Sequence, residues 1–372
     1  MGLSEIIRCG LMRLYAPRIG LNGSRLRRGV SQTGIIGLFA LICLLLAQAS
    51  GQSAPFAKGA DVGWLQQMEA TDYKFYNAQG VQEDCLQILK ENGINTVRLR
   101  VFVNPSSNKR SGHCGKDEVV NMAVRAKAMG LRVLIDFHYS DSWADPGKQT
   151  KPAAWAGHDF PQLLTDVYNH TYDVLSALKA RGVTPEWVQV GNEIPGGILW
   201  PDGKTSNWGQ LSQLLNKGYD AVKAVDSSIK VVIHLDQGNN SGKFRKFFDN
   251  FKANGGKWDV IGMSYYPYWL HQDYTASINN LGANLDDVAA RYGKEVMVVE
   301  VGGDVTKAQD TYDMLVAVQQ KVKAVPNGKG LGVVYWEPEG EQSWSGYRLS
   351  CWGSDGRPTK ALTAFNYDLG SN

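Results

Sequence analysis

The sequence predicts an α/β protein that folds as a single (β/α)8 TIM barrel, with its functional loops at the C-terminal face. From Gly59 onward, strand-like runs alternate with amphipathic helical runs, which is typical of β/α architectures. Eight such units follow one another without a linker. The alternative, a doubly wound open sheet, is expected to carry a glycine-rich phosphate loop after its first strand, and the sequence has none.

The predicted strands are continuous apolar or β-branched runs, as expected for parallel strands that are covered on both faces. In chain order they are residues 58–62, 95–102, 132–138, 187–191, 230–235, 259–265, 295–300 and 330–336.

The segments between the strands have helical periodicity. Residues 119–130 repeat apolar side chains at helical spacing and end at Gly130, a residue type that commonly follows the last helical turn. Residues 310–325 show the same spacing before Pro326. The next strand therefore begins shortly after each helix, as the barrel requires.

The N-terminal segment is typical of a secretory signal peptide. Six arginines precede an apolar run at 34–47, and the small residues of 47–49 fit a signal-peptidase site. We predict a signal peptide over 1–49, a barrel domain over 50–372, and a secreted or periplasmic location. The apolar run is short for a membrane span, so no membrane association is expected after cleavage. An uncleaved anchor is the alternative.

The overall composition excludes several classes of function. The chain has 372 residues, of which 20% are charged and 43% hydrophobic, and its formal net charge is +3. This is ordinary globular composition and gives no reason to expect nucleic-acid binding. No Cys/His cluster has zinc-ligand spacing, so we predict no metal and no cofactor. We expect a monomer.

Two glutamates at strand ends are the strongest functional signal. Glu193 follows the fourth strand, and Glu300 ends the seventh. A carboxylate at the tip of a buried strand is costly unless it has a role. Glycoside hydrolysis needs two carboxyls, one to protonate the leaving oxygen and one to attack or to activate water. Either glutamate alone could be a solvated strand end, but the pair predicts a glycosidase.

The other strands also end in polar and aromatic residues, which a barrel gathers on one face. Any one of them could be structural, but all eight strands share the pattern. The candidates are Asp61, Arg98, Arg100, His138, Asn192, His234, Asp236, Tyr266 and Trp336.

Seven strand-end motifs are residues 59–61, 95–105, 136–146, 191–194 with 197–201, 233–236, 264–267 and 335–338. Together these motifs resemble glycoside hydrolase family 53, the endo-β-1,4-galactanases, over nearly all of the chain after the signal peptide. The resemblance implies an endo-acting, retaining hydrolase of β-1,4-galactosidic bonds, with galactan and type I arabinogalactan as its polysaccharide partners.

The resemblance and the chemistry assign the main roles. Glu193 is the expected acid/base and needs a raised pKa, whereas Glu300 is the expected nucleophile and must be ionised. Arg98 or Arg100 can supply the cation that keeps Glu300 ionised, and Tyr266 can supply a hydroxyl.

The remaining candidates are expected to contact sugar or to orient the glutamates. Asn192 would bind the 2-hydroxyl, and Trp336 would form the floor of the reacting sugar's subsite. His138, His234 and Asp236 would hold hydroxyls or orient the carboxyls. Asp61 would contribute to an outer subsite.

Two alternatives to galactan hydrolysis stay open at the level of sequence. A mannanase, cellulase or xylanase of the same clan would share both glutamates and differ only in substrate. A non-catalytic polysaccharide-binding barrel is expected to have lost one glutamate, and this chain has both.

Three cysteines follow the predicted signal peptide. Cys85 lies in a helical run over 81–89 and is expected to be a buried thiol. Cys114 follows the second strand and Cys351 the eighth, so both belong to loops of one face. Export permits a disulfide, and we predict a Cys114–Cys351 bridge, provided that the Cα atoms come within about 7 Å.

Overall fold

A closed barrel of eight parallel strands forms the centre of the protein. The structure, a computed structural model, describes residues 54–106 and 113–370. Each strand pairs with its neighbours in sequence, and the first pairs with the last. The predicted TIM barrel is confirmed, and every predicted strand lies within one residue of the observed one at each end. Strands β1 to β8 are Ala57–Asp61, Thr96–Val101, Arg132–Phe137, Trp187–Val190, Lys230–Leu235, Val260–Tyr265, Glu295–Val301 and Gly330–Trp336.

Helices surround this barrel and several begin at a side-chain cap. Asp84, Asp159, Asn207 and Asn240 each accept a backbone N–H of the first helical turn, which satisfies a donor that the helix itself leaves free. Among the described residues, no helix combines the length and apolarity needed to cross a bilayer. Helices α1 to α9 are Leu65–Ala70, Cys85–Glu91, Lys116–Ala128, Phe160–Ala180, Trp208–Val225, Ser241–Ala253, Ile278–Tyr292, Ala308–Lys323 and Gln342–Ser345.

The barrel interior changes from apolar to polar along its axis. Leu134 on β3 and Trp187 on β4 belong to a separate buried apolar cluster. Two residues further along each strand, on the same face, lie the buried polar residues Asp136 and Gln189. The inward-facing positions of the strands are therefore apolar in the lower part of the barrel and polar at its C-terminal end.

A β-bulge between β6 and β7 directs Glu300 into this polar layer. Met263 pairs with Val298, but the next residue, Ser264, pairs with Glu300, so β7 contributes one extra residue. Val299 belongs to the apolar interior cluster, and strict alternation from it would send the following residue to the opposite face. The bulge reverses that expectation, as bulges near functional sites commonly do.

The predicted disulfide is wrong, because all three described cysteines are free, buried thiols. The Cys114 Sγ donates to the carbonyl of Gly63 at 3.2 Å, whereas Cys351 lies against the Tyr335 hydroxyl. The two loops do lie on one face, but each thiol is packed against its own strand neighbours, and a shared face does not bring two thiols into bonding distance.

The prediction for Cys85 is confirmed: it is a buried thiol at the start of α2. Its helix is shorter than expected, since Asp84 caps it and Val81 is exposed. The predicted signal peptide over 1–49 lies outside the described residues, so the boundary between the signal peptide and the barrel domain stays a prediction.

Candidate active site

A cleft of about 430 Å³ opens at the C-terminal ends of the strands. It contains both predicted catalytic glutamates and four of the nine other candidate residues. Its lining residues are His138, Trp143, Ala144, Asp145, Asn192, Glu193, Tyr266, Trp269, Glu300, Trp336 and Tyr347.

Glu193 lies in the loop that follows β4 and has an unusual backbone conformation. Its φ of 44° is in the left-handed region, which costs energy for a residue with a side chain, and such residues cluster at functional sites. Its Oε1 accepts a hydrogen bond of 2.6 Å from the Ser264 hydroxyl. Burial, and then the charge of Glu300, raise the pKa of Glu193 well above its ordinary value.

Glu300 is held by a cation and a hydroxyl. Its Oε1 lies 2.9 Å from an Nη atom of Arg98, and its Oε2 accepts a 3.1 Å hydrogen bond from the Tyr266 hydroxyl. Burial raises the pKa of Glu300 to about 7, while Arg98 and Tyr266 act against that rise. Because the Glu300 charge raises the pKa of Glu193, Glu300 ionises first and Glu193 keeps its proton.

Arg98 is fully buried and joins several strands through one guanidinium. It contacts Asp61 at 2.6 Å and Asp136 at 2.9 Å in addition to Glu300. It also donates to the Asn192 side-chain oxygen at 2.9 Å. Arg98 is therefore the cation that the nucleophile requires.

Arg100, the second candidate for that role, points elsewhere. It pairs with Glu337 and lies 3.4 Å from Asp61. Its guanidinium carbon lies 4.2 Å from the ring centre of Trp143, a cation–π contact. Arg100 therefore supports a tryptophan of the cleft wall from behind and does not contact Glu300.

Five candidates predicted to bind substrate do not line the cleft: Asp61, Arg98, Arg100, His234 and Asp236. The first four are almost completely buried, because each is surrounded by polar partners from adjacent strands. Their expected sugar contacts are corrected to contacts that support the cleft.

Asp236 is an example of a candidate that lies outside the cleft, and His138 is an example of one that lines it. One Asp236 oxygen forms a 2.6 Å ion pair with Lys243, so this carboxylate is held outside the cleft. His138 does line it, with one ring nitrogen 3.0 Å from Asp136 and the other accepting the Ala144 N–H at 3.0 Å. Both ring nitrogens of His138 are engaged, which fixes the orientation of the ring.

The aromatic part of the cleft centres on Trp336. Its ring centre lies 4.8 Å from that of Tyr347, 5.0 Å from Trp64 and 5.7 Å from Trp143, all edge to face. Trp269 stands apart at the rim and is 57% exposed. Trp336 therefore forms an aromatic floor that is packed edge to face against the three neighbouring rings. The exposed indole of Trp269 lies beside this floor.

A second pair of glutamates lies buried behind this floor. Glu337 accepts the Trp64 N–H at 3.1 Å and pairs with Arg100. Among the described residues, neither carboxyl oxygen of Glu339 has an N–H or hydroxyl donor. Glu339 interacts with the Glu337 carboxyl, and a hydrogen bond between two carboxyls requires a shared proton. Burial and the Glu337 charge raise the pKa of Glu339 well above its ordinary value, so Glu339 carries that proton.

Several residues of the site were not among the candidates predicted from the sequence. Ser264 and Tyr266 are two residues apart on one face, so the strand period could have revealed Ser264. Gln189, which accepts from Arg98 at 3.3 Å, follows from the same period on β4. Tyr347 lies in the segment after β8, where no periodic signal exists. No group of metal ligands is found in the part of the chain that the structure describes.

Comparison with known proteins gives consistent matches. The family model for glycosyl hydrolase family 53 matches residues 57–367. An uncharacterized protein of Niallia circulans is 37% identical over 346 residues, which cover 84% of this chain and 90% of that protein. The endo-beta-1,4-galactanase of Bacillus subtilis (strain 168) is 35% identical over 320 residues, covering 79% of this chain and 72% of that protein.

A solved structure agrees with these sequence matches. The family 53 catalytic domain of Ignisphaera aggregans superposes with a TM-score of 0.78 at 32% identity, covering 85% of this chain and 97% of that domain.

Proposed function

The chain belongs to glycosyl hydrolase family 53 and is a glycosidase, and from this premise we propose that it hydrolyses internal β-1,4-galactosidic bonds of galactan and type I arabinogalactan with retention of configuration. The observation that carries the proposal is the pair Glu193 and Glu300, which face one cleft from β4 and β7 and differ in their partners.

The first step forms a covalent glycosyl-enzyme. The ionised Glu300 attacks the anomeric carbon, and Glu193 transfers its proton to the glycosidic oxygen as that bond breaks. Arg98 holds Glu300 in its charged form through the 2.9 Å contact. The hydroxyl of Tyr266, 3.1 Å from Glu300 Oε2, orients the attacking carboxylate.

The second step releases the sugar. Glu193, now ionised, takes a proton from water, and the resulting hydroxide equivalent displaces Glu300 from the anomeric carbon. Two inversions give net retention. Each carboxyl thus ends the cycle in its starting protonation state.

The aromatic floor and the side chain of Asn192 support binding of a galactose unit. The apolar C–H face of the sugar ring can stack on Trp336. Asn192 donates one amide hydrogen to the Ala144 carbonyl at 2.8 Å, which leaves its second amide hydrogen for the 2-hydroxyl of the sugar.

Substrate choice is tested by measuring reducing-sugar release from galactan, mannan, xylan and carboxymethylcellulose side by side. We expect turnover on galactan to dominate, with an early fall in polymer viscosity because internal bonds are cut. Preferential hydrolysis of another polymer, or release of single galactose units without a fall in viscosity, would contradict the proposal.

The two roles are separated by azide rescue of alanine variants on a galactoside with a good leaving group. Glu193→Ala still forms the glycosyl-enzyme, which azide opens to β-galactosyl azide. Glu300→Ala lacks the nucleophile, so azide attacks directly and gives the α-anomer. The reverse pattern of anomers would exchange the two roles.

We extend the proposal to location and assembly. The arginine-rich, apolar N-terminal segment supports export with cleavage after residue 49, and we propose that the enzyme acts as a monomer. N-terminal sequencing of the exported protein and light scattering test these points. A mature chain that keeps residues 1–49, or a stable dimer, would contradict them.

A further inference from the structure

The C-terminal end of β6 and the residue directly after it each supply one hydroxyl to a glutamate of the cleft. Tyr266 donates to Glu300 at 3.1 Å, and Ser264, two residues earlier on the same face, donates to Glu193 at 2.6 Å. Ser264 is only 1% exposed, so no solvent competes for its hydroxyl. Its remaining hydrogen-bond partner is His234, whose Nε2 lies 2.7 Å away.

The partners of His234 fix which of its nitrogens carries the proton. Burial lowers the pKa of His234 well below its ordinary value, so the ring is neutral. Its Nδ1 faces two N–H groups, the Gln189 amide at 2.8 Å and the Glu193 backbone at 3.3 Å. A proton on Nδ1 would suit only the Asn192 oxygen at 3.1 Å and would oppose both donors. The proton therefore lies on Nε2.

This tautomer sets the direction of every hydrogen bond in the chain. Nε2–H of His234 donates to the Ser264 oxygen, which leaves the Ser264 hydrogen free to point in only one useful direction, toward Glu193 Oε1. Oε1 is thereby an acceptor whether or not the carboxyl is protonated.

Resting on the proposed function, we propose that Ser264, oriented by His234, is a positioning residue that holds the Glu193 carboxyl and confines its acid proton to Oε2, the oxygen left to face the glycosidic bond. During catalysis that proton moves from Oε2 to the leaving oxygen and returns from water. The Ser264 hydroxyl keeps its own proton throughout and is not a catalytic group.

The test compares Ser264→Ala with wild type on two substrates that differ in their need for an acid. Galactan has a poor leaving group and depends on proton transfer, whereas 2,4-dinitrophenyl β-1,4-galactobioside does not. We expect the first-step rate of S264A to fall on galactan by about tenfold or more, which is part of the 10²–10⁴ typical of general acid catalysis. On the activated substrate, formation of the glycosyl-enzyme should be nearly unchanged.

The pH profile gives an independent readout. The Ser264 hydrogen bond lowers the pKa of Glu193, so its loss should move the alkaline limb of kcat/KM on galactan to higher pH. Ser264→Thr keeps a hydroxyl and should restore both the rate and the limb. Ser212→Ala is the matched control, because Ser212 is equally buried at 1% exposure but lies in α5 and has no hydrogen-bond partner for its hydroxyl in the described structure.

Equal losses on both substrates, or an alkaline limb that does not move, would overturn the proposal and leave Ser264 a packing residue. Should S264A fold poorly, Ser264→Cys keeps the volume with a weaker donor and is measured in the same way. A wild type that leaves galactan intact would overturn the substrate proposal instead, and the same series would then be measured on whichever polysaccharide the wild type hydrolyses.

Discussion

Two pairs of glutamates lie at the same end of this barrel, and they differ in their surroundings. Glu193 and Glu300 face the cleft, and they receive hydroxyls from Ser264 on β6 and from Tyr266 directly after it. Glu337 and Glu339 are both fully buried behind the aromatic floor and are linked to each other and to Arg100.

The difference shows what marks a catalytic pair. Burial raises the pKa of all four carboxyls, so a raised pKa does not by itself identify function. Access to a substrate-sized cleft and a separate donor for each carboxyl distinguish the first pair. The second pair shares one proton and fixes Arg100, which in turn supports Trp143. One pair performs chemistry, and the other maintains the wall beside it.

The largest expected effect is on turnover. Glu193→Gln and Glu300→Gln should each lower kcat on galactan by about 100-fold or more, because each removes a group that acts in the transition state. Glu339→Gln should leave kcat unchanged, since it has no contact with the cleft. Two results would contradict the assignment of one catalytic and one structural pair. They are a Glu193 or Glu300 variant that keeps more than about a tenth of wild-type kcat, and an E339Q enzyme as impaired as E193Q.

The next effect is on stability. Glu337→Ala leaves the buried Arg100 without its main partner, and breaking a buried ion pair typically costs about 3–5 kcal/mol in free energy of unfolding. Asp249→Ala is the control, because its ion pair with Arg291 is exposed and should contribute about 1 kcal/mol or less. Urea denaturation measures both. Equal losses would show that the Glu337–Arg100 pair is not a structural support.

A smaller effect concerns the pH dependence of stability. Below the ordinary glutamate pKa of about 4.3, folded and unfolded chains both hold the Glu339 proton. Above it, only the folded chain does, so the free energy of unfolding falls as pH rises, by at most about 1.4 kcal/mol per pH unit for one proton. Glu339→Gln should flatten this decline between neutral and alkaline pH. Thermal unfolding across pH that gives parallel curves for E339Q and wild type would contradict a protonated Glu339.

The smallest expected effect is that the buried thiols near the Glu337–Glu339 pair do not react with a thiol reagent in the native protein. Burial raises the pKa of Cys114 and of Cys351 to about 12, and Cys85 is also buried. A thiol reagent at mildly alkaline pH should therefore leave the native chain of residues 50–372 unmodified and label all three cysteines after denaturation. Rapid labelling of the native protein, or a disulfide in peptide maps, would show that this region is open or bridged.

Much of the fold and half of the site follow from the sequence. The strands are long apolar runs, so their ends and their order are visible, and Glu193, Glu300 and Trp336 stand at those ends. The choice between Arg98 and Arg100 could not be made, because both lie on one face of β2 and only the neighbouring strands decide their partners. The prediction of a disulfide was wrong for a related reason. The sequence places the two loops on one face but gives no distance between the two thiols.

The bulge that directs Glu300 inward was equally hidden. It depends on a register shift between β6 and β7, which is a property of two strands together. Tyr347 reaches the cleft from beyond the last strand, where neither periodicity nor spacing constrains its position.

The exposed indole at the cleft rim gives the protein a built-in optical signal. Trp269 is 57% exposed, while Trp336 and Trp143 are partly buried in the aromatic floor. A water-facing indole emits at longer wavelength than a covered one, so a polysaccharide that settles across the rim should shift this residue's fluorescence to the blue. Substrate occupancy can then be followed in the inactive Glu300→Gln variant without any label.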